Sequence, residues 1–198
     1  FKETTVDYYL KKLKEGKLKP AALADKAPGD GAGAAHSPAA PKAGQDVGDS
    51  VLLTSSWAPG TALVTFNRPE ALNAVDAGML EDLGEVLARL EQDSDAQIVV
   101  LTGAGRAFVG GGDIGHMAGL SPDEGERFVY LGQGLLRRLE RLPKVTVAAI
   151  NGYALGGGLE IALACDFRVA AEPAEVGFPE VSVGLIPGWG VTQRLVRL

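Results

Sequence analysis

The chain has 198 residues, 46% of them hydrophobic and 22% charged, with a formal net charge of -6. That balance is ordinary for a globular protein with one main domain. The acidic surplus argues against a nucleic-acid groove or an anionic membrane surface as the chief partner, and a single cysteine, Cys165, excludes an intrachain disulfide and a thiolate metal cluster.

Residues 1–19 are charged, with Val6, Tyr9, Leu10 and Leu13 recurring at helical spacing, so a short amphipathic helix is expected there, ending near Gly16. Residues 20–50 form an Ala/Gly/Pro-rich linker whose middle carries no large apolar side chain and so cannot offset its ordering entropy. His36, within it, is read as a solvated linker histidine. The start at Phe1 rather than methionine points to processing or to excision from something longer. The N-terminus lacks a signal-peptide core, and no apolar run reaches the ~18 residues of a membrane helix. With the reducing compartment that the cysteine usage fits, a cytoplasmic location is expected.

From residue 51 to 198 the pattern is that of a folded α/β domain. Residues 51–56 and 61–67 read as a hairpin turning at Pro59-Gly60. Asp76 caps a helix with Leu80, Leu83, Val86, Leu87 and Leu90 on one face. Residues 98–102 read as a nearly all-apolar strand with both faces covered. Ser121-Pro122-Asp123-Glu124 has capping-box spacing and opens a helix to about Arg141. A strand at 145–150, a helix from about Gly157 to Cys165 and a strand at 167–171 follow, an alternation that indicates α/β architecture. No internal sequence repeat is evident.

Two glycine-rich turns carry the first chemical signal: Phe108-Val109-Gly110-Gly111-Gly112-Asp113 and Ala154-Leu155-Gly156-Gly157-Gly158-Leu159-Glu160. Glycines let a backbone approach a ligand closely, and one N–H from each turn could hold an oxyanion. Tight strand-to-helix packing explains such glycines equally well. Glu160 lies in the first turn of an otherwise apolar helix, and Glu180 follows Pro179 between apolar segments. If both enter one apolar pocket, desolvation raises their pKa values and suits them to acid–base work. From spacing alone, capping or surface roles compete with catalysis at both. Neither turn has dinucleotide or P-loop spacing, and no nucleophile elbow is present. Asp113 reads as a cap, His116 as an exposed helix-start histidine, and Cys165 as a buried core residue. His36 and His116 lack zinc-type spacing, so no metal is expected.

Asn67-Arg68-Pro69-Glu70-Ala71-Leu72-Asn73-Ala74, the run from Leu101 to Asp113, the run from Asn151 to Glu160, Ala164-Cys165-Asp166, and Phe178 through Gly188 to Leu195 together resemble the crotonase (enoyl-CoA hydratase/isomerase) superfamily. The resemblance spans residues 51–198. It implies a spiral of ββα units with roughly perpendicular sheets, from which the family's C-terminal helices are missing in this chain. It implies that Gly112 and Gly157 supply the oxyanion-hole N–H groups, that Glu160 activates water, and that Glu180 protonates the α-carbon. By the same resemblance Ala71, Leu72 and Gly110 line the coenzyme A path and Gly188 sits beside the catalytic water.

The implied activity is hydration of a 2-enoyl-CoA thioester, with no cofactor other than the coenzyme A of the substrate. Keeping both glutamates favours hydratase over the isomerase and decarboxylase relatives. A homotrimer or hexamer is expected, and a fusion setting in which an acyl carrier protein presents the thioester is an alternative. A non-catalytic interaction subunit, tethered through residues 1–19, is the rival from another class. Departures from the family pattern are Val109 with three glycines, Gly115-His116 in place of the usual lysine, and Trp189, which is expected to narrow the acyl pocket.

Overall fold

The computed structural model describes residues 48–198, so the expected N-terminal helix, His36 and nearly all of the linker lie outside the described residues. Strands β1 (Val51–Ala58) and β2 (Thr61–Phe66) form the expected antiparallel hairpin, and Gly60 makes the turn at φ +66°. A 3-10 turn (Pro69–Ala71) leads to helix α1 (Ala77–Gln92). Asp76 caps it by accepting from the Met79 N–H at 2.8 Å. The apolar positions predicted for this helix are all buried, together with Met79.

Two strand–strand–helix units follow. The first runs β3 (Ile98–Gly103), β4 (Ala107–Val109), α2 (Ile114–Ala118) and α3 (Pro122–Glu140). The second runs β5 (Val145–Ile150), β6 (Tyr153–Leu155) and α4 (Gly157–Leu163). A last unit has β7 (Phe167–Ala170), β8 (Val176–Gly177), a 3-10 turn (Glu180–Val183) and α5 (Val191–Arg194). In these three units the first strand joins a five-stranded sheet ordered β1-β2-β3-β5-β7, and the second joins a three-stranded parallel sheet ordered β4-β6-β8. Only the β1–β2 pair is antiparallel. The architecture is therefore the expected α/β spiral. Its repeat is one of topology, which explains why the sequence shows none.

Phe66 of the large sheet meets Phe108 of the small one edge to face, with centroids 5.6 Å apart. Both are fully buried, and burying such a side chain contributes on the order of 2 kcal/mol. The expectation that both faces of β3 are covered is corrected. Val99 and Leu101 are buried, whereas Ile98 on β3, Val145 on β5 and Phe167 and Val169 on β7 are exposed. Among the described residues, helix α1 packs on β1 and on α3, and the face of β3, β5 and β7 that carries these four side chains is open. No described helix is long and apolar enough to cross a membrane.

Candidate active site

The first glycine turn is placed by the loop between β2 and α1. The Gly110 N–H donates to the Leu72 carbonyl, the Val75 N–H to Gly111 and the Asp113 N–H to Val75, each at 2.8 Å. Leu72 and Asn73 adopt left-handed backbone angles, φ +55° and +56°. Asparagine tolerates that region better than most residues. Fully buried, Asn73 donates through Nδ2 to the carbonyls of Ala104 (3.0 Å), Ala107 (2.9 Å) and Phe108 (3.1 Å), while its Oδ1 accepts from the Arg68 N–H at 2.8 Å. Asn151 works similarly after β5. Its Oδ1 accepts from the Gly103 N–H at 3.1 Å, and its Nδ2 donates to the Gly103 and Gly105 carbonyls at 3.0 Å. Sequence reasoning assigned neither asparagine a role. Their positions inside the quoted motifs were the available signal.

In the second turn the packing demand on the glycines is explicit. Gly156 has φ +49° and lets β6 break into α4. A Cβ on Gly158 would lie 2.0 Å from the Val109 carbonyl oxygen, so this glycine is required by close packing against β4. The N–H groups of Gly112 and Gly157 have no backbone acceptor among the described residues. For Gly157, the first residue of a helix, that follows from the missing preceding turn.

Glu160, one turn into α4, is only 2% exposed. Its Oε1 accepts from the Trp189 and Val191 N–H groups, both at 2.9 Å. Burial raises its pKa; the two amides oppose that rise, Glu180 adds to it and Arg194 counters it. Glu180 opens the 3-10 turn after β8, and burial raises its pKa as well. Its Oε2 is buried without a hydrogen-bond partner. A Cβ on Gly156 would come within 2.9 Å of Glu180 Oε1, so the second turn lies directly against this carboxylate.

A cavity of about 490 Å³ brings Leu72, Gly110, Gly112, Gly157 and Glu180 together, walled by apolar side chains such as Met117. Ala71 and Gly188 are not part of its lining. Ala71 belongs to the 3-10 turn beside Leu72, and the Gly188 carbonyl accepts from Gln133 Nε2 at 2.7 Å. Glu160 is not part of the lining either; it lies in α4, whose first residue, Gly157, is part of it, and the charge of Glu180 acts on it.

Asp113 caps α2, accepting from the His116 N–H at 3.1 Å, a bond that leads the depression of its pKa. Arg68 adds to that depression and also pairs with Asp76 at 2.7 Å. The reading of His116 as exposed is corrected. The short helix α2 folds back toward α3, so His116 is half-buried against Phe128, with centroids 5.7 Å apart, and its Nε2 is buried without a partner. Trp189 is 5% exposed, meets Phe128 with the rings tilted by 58° and fits against glycines: Cβ atoms on Gly132 or Gly157 would collide with its indole. Cys165 is buried and its thiol is pushed up to about 12, the property of an inert core residue.

Residues 58–198 match the enoyl-CoA hydratase/isomerase family, and the chain belongs to it. It is 50% identical over 138 residues to a short-chain-enoyl-CoA hydratase of Clostridium acetobutylicum, an alignment covering 69% of this chain and 53% of that one. It is 40% identical over 158 residues to an ethylmalonyl-CoA decarboxylase of Xenopus laevis, covering 79% and 52%. Among solved structures, the enoyl-CoA hydratase of Bacillus anthracis superposes with a TM-score of 0.72 at 38% identity, covering 75% of this chain and 58% of that one. The chain spans about half the length of the curated relatives it matches.

Proposed function

We propose that this chain carries the catalytic core of an enoyl-CoA hydratase, which adds water to the double bond of a 2-trans-enoyl thioester. The observation that carries the reading is a cavity lined by Gly112, Gly157 and the desolvated carboxylate of Glu180, with a second desolvated carboxylate, Glu160, in the helix that Gly157 opens and near enough to Glu180 to feel its charge. The N–H groups of Gly112 and Gly157 receive the thioester oxygen as it becomes an enolate oxygen, and such donors are worth ~3 kcal/mol each in barrier lowering. Glu160, ionised, takes a proton from water as its hydroxide bonds to the β-carbon, and the π electrons move to the thioester oxygen. Glu180, protonated, returns a proton to the α-carbon as the carbonyl reforms. The two environments suit these roles. Two amides favour the carboxylate of Glu160, whereas the unpartnered buried oxygen of Glu180 favours its acid form.

Leu72 and Gly110, with Ala71 beside Leu72 in the chain, form the path for the coenzyme A portion, Gly188 belongs beside the catalytic water, and the reaction needs no further cofactor. We assign the substrate as an acyl-CoA thioester, with an acyl carrier protein as the alternative carrier, and a cytoplasmic homotrimer or hexamer as the working form. The names of the relatives support hydratase chemistry, and the decarboxylase among them marks the competing use of the same enolate-stabilising turns. Incubating the whole polypeptide that carries these residues with crotonyl-CoA, and following loss of enoyl absorbance, tests the proposal. Formation of 3-hydroxybutyryl-CoA supports it. Decarboxylation of a malonyl-type thioester without any hydration contradicts it.

A further inference from the structure

Residues 188–191, which follow the 3-10 turn Glu180–Val183 and run into the start of α5, contain no acid or base, yet they deliver both amides that hold Glu160. Gly188 and Gly190 give this loop little stiffness of its own, and Gly190 has φ +109°. Its rigidity comes from the carbonyl side. Gln133 Nε2 donates to the Gly188 carbonyl at 2.7 Å, and Arg194 Nη1 donates to the Trp189 carbonyl at 2.6 Å. Arg194 is itself gripped by Glu140 in a two-pronged pair, Nε to Oε1 at 2.7 Å and Nη2 to Oε2 at 2.9 Å. The guanidinium thus links the end of α3 to the residue whose N–H faces Glu160. Its side chain is 13% exposed, so its bond to the Trp189 carbonyl is sheltered, whereas water reaches the Glu140 end of the pair.

We propose that Arg194, clamped by Glu140, is a positioning residue that keeps Glu160 ionised by holding the Trp189 and Val191 amides on its carboxylate. Fixed donors on a carboxylate favour its charged form, and a cation in the next layer of contacts adds to the effect. The other groups facing Glu160 do not substitute for them. Glu180 opposes ionisation. Strands β4, β5 and β6 contribute Tyr153 as their one titratable side chain, and α4 contributes none besides Glu160 itself. The chemistry of Arg194 is specific, because lysine lacks the planar fork that serves a carboxylate and a carbonyl at once.

The kinetic test rests on the hydratase reading. In the whole polypeptide, Arg194→Met is expected to move the acid limb of kcat/KM for crotonyl-CoA upward by about one pH unit. Glu140→Gln should move it the same way by less, with Arg194→Lys between wild type and Arg194→Met. A lowered Tm in Arg194→Met with an unmoved acid limb overturns the proposal. Should that variant not fold, an unmoved limb in Glu140→Gln does the same. A second readout does not need turnover. With ¹³C-labelled glutamate, the carboxyl resonance absent from Glu160→Gln identifies Glu160, and its titration midpoint should rise in Arg194→Met. If wild type hydrates nothing, the hydratase reading falls, and this titration still decides the role of Arg194.

Discussion

A carboxylate oxygen buried without a donor, as at Glu180, costs stability when it is charged. Its folded pKa is raised, so its contribution to stability is present below the ordinary glutamate range near ~4 and is lost as pH rises through the folded value. Glu180→Gln should therefore unfold at higher denaturant than wild type at pH 7, with the gain vanishing toward pH 4. An unchanged midpoint at both pH values would contradict the burial argument. Asn73 lies at the opposite extreme, since its Nδ2 serves three carbonyls. Asn73→Asp keeps the shape and the tolerance for positive φ but turns a buried donor into an acceptor, and should cost about 3 kcal/mol in denaturant unfolding. The glutamates and glycines could be singled out in the sequence, although residue type left capping and packing roles open and their catalytic assignment came from resemblance. The roles of Asn73, Asn151 and Arg194 were not legible, because each depends on carbonyls from distant segments that only the fold brings near.

At the scale of elements, the helices α1, α3 and α4 and the strands of the large sheet were read, and the strands of the small sheet were missed. Helices α1 and α3 declare themselves through caps and periodic apolar faces, and both capping residues of α3 engage as expected. Ser121→Ala should accordingly cost ~1 kcal/mol in thermal or denaturant unfolding without altering the site; an effect below a few tenths would mean the box is idle. The three strands of the small sheet have three, three and two residues, too few to show a period of two, and two of them abut the glycine turns. The sequence therefore showed turns where the structure has a second sheet. This omission matters functionally, because β4 and β6 are the elements that aim the two turns at the same cavity.

For the whole molecule, the spiral explains how residues from 72 to 180 converge. Each unit sends one strand to each sheet, so the turns after β4 and β6 and the segment after β8 arrive side by side. That convergence was accessible only through resemblance to a family, since nothing in the local pattern fixes strand order. The open face of the large sheet was not foreseen, because an apolar strand reads the same whether one face or two are covered. The central claim is that Glu160 and Glu180 act as a complementary pair on one thioester. The most direct test is hydration of crotonyl-CoA by the whole polypeptide, with Glu160→Gln and Glu180→Gln measured alongside. Each substitution is expected to lower kcat at least ~100-fold while thioester binding persists. Full activity in either variant would contradict that claim.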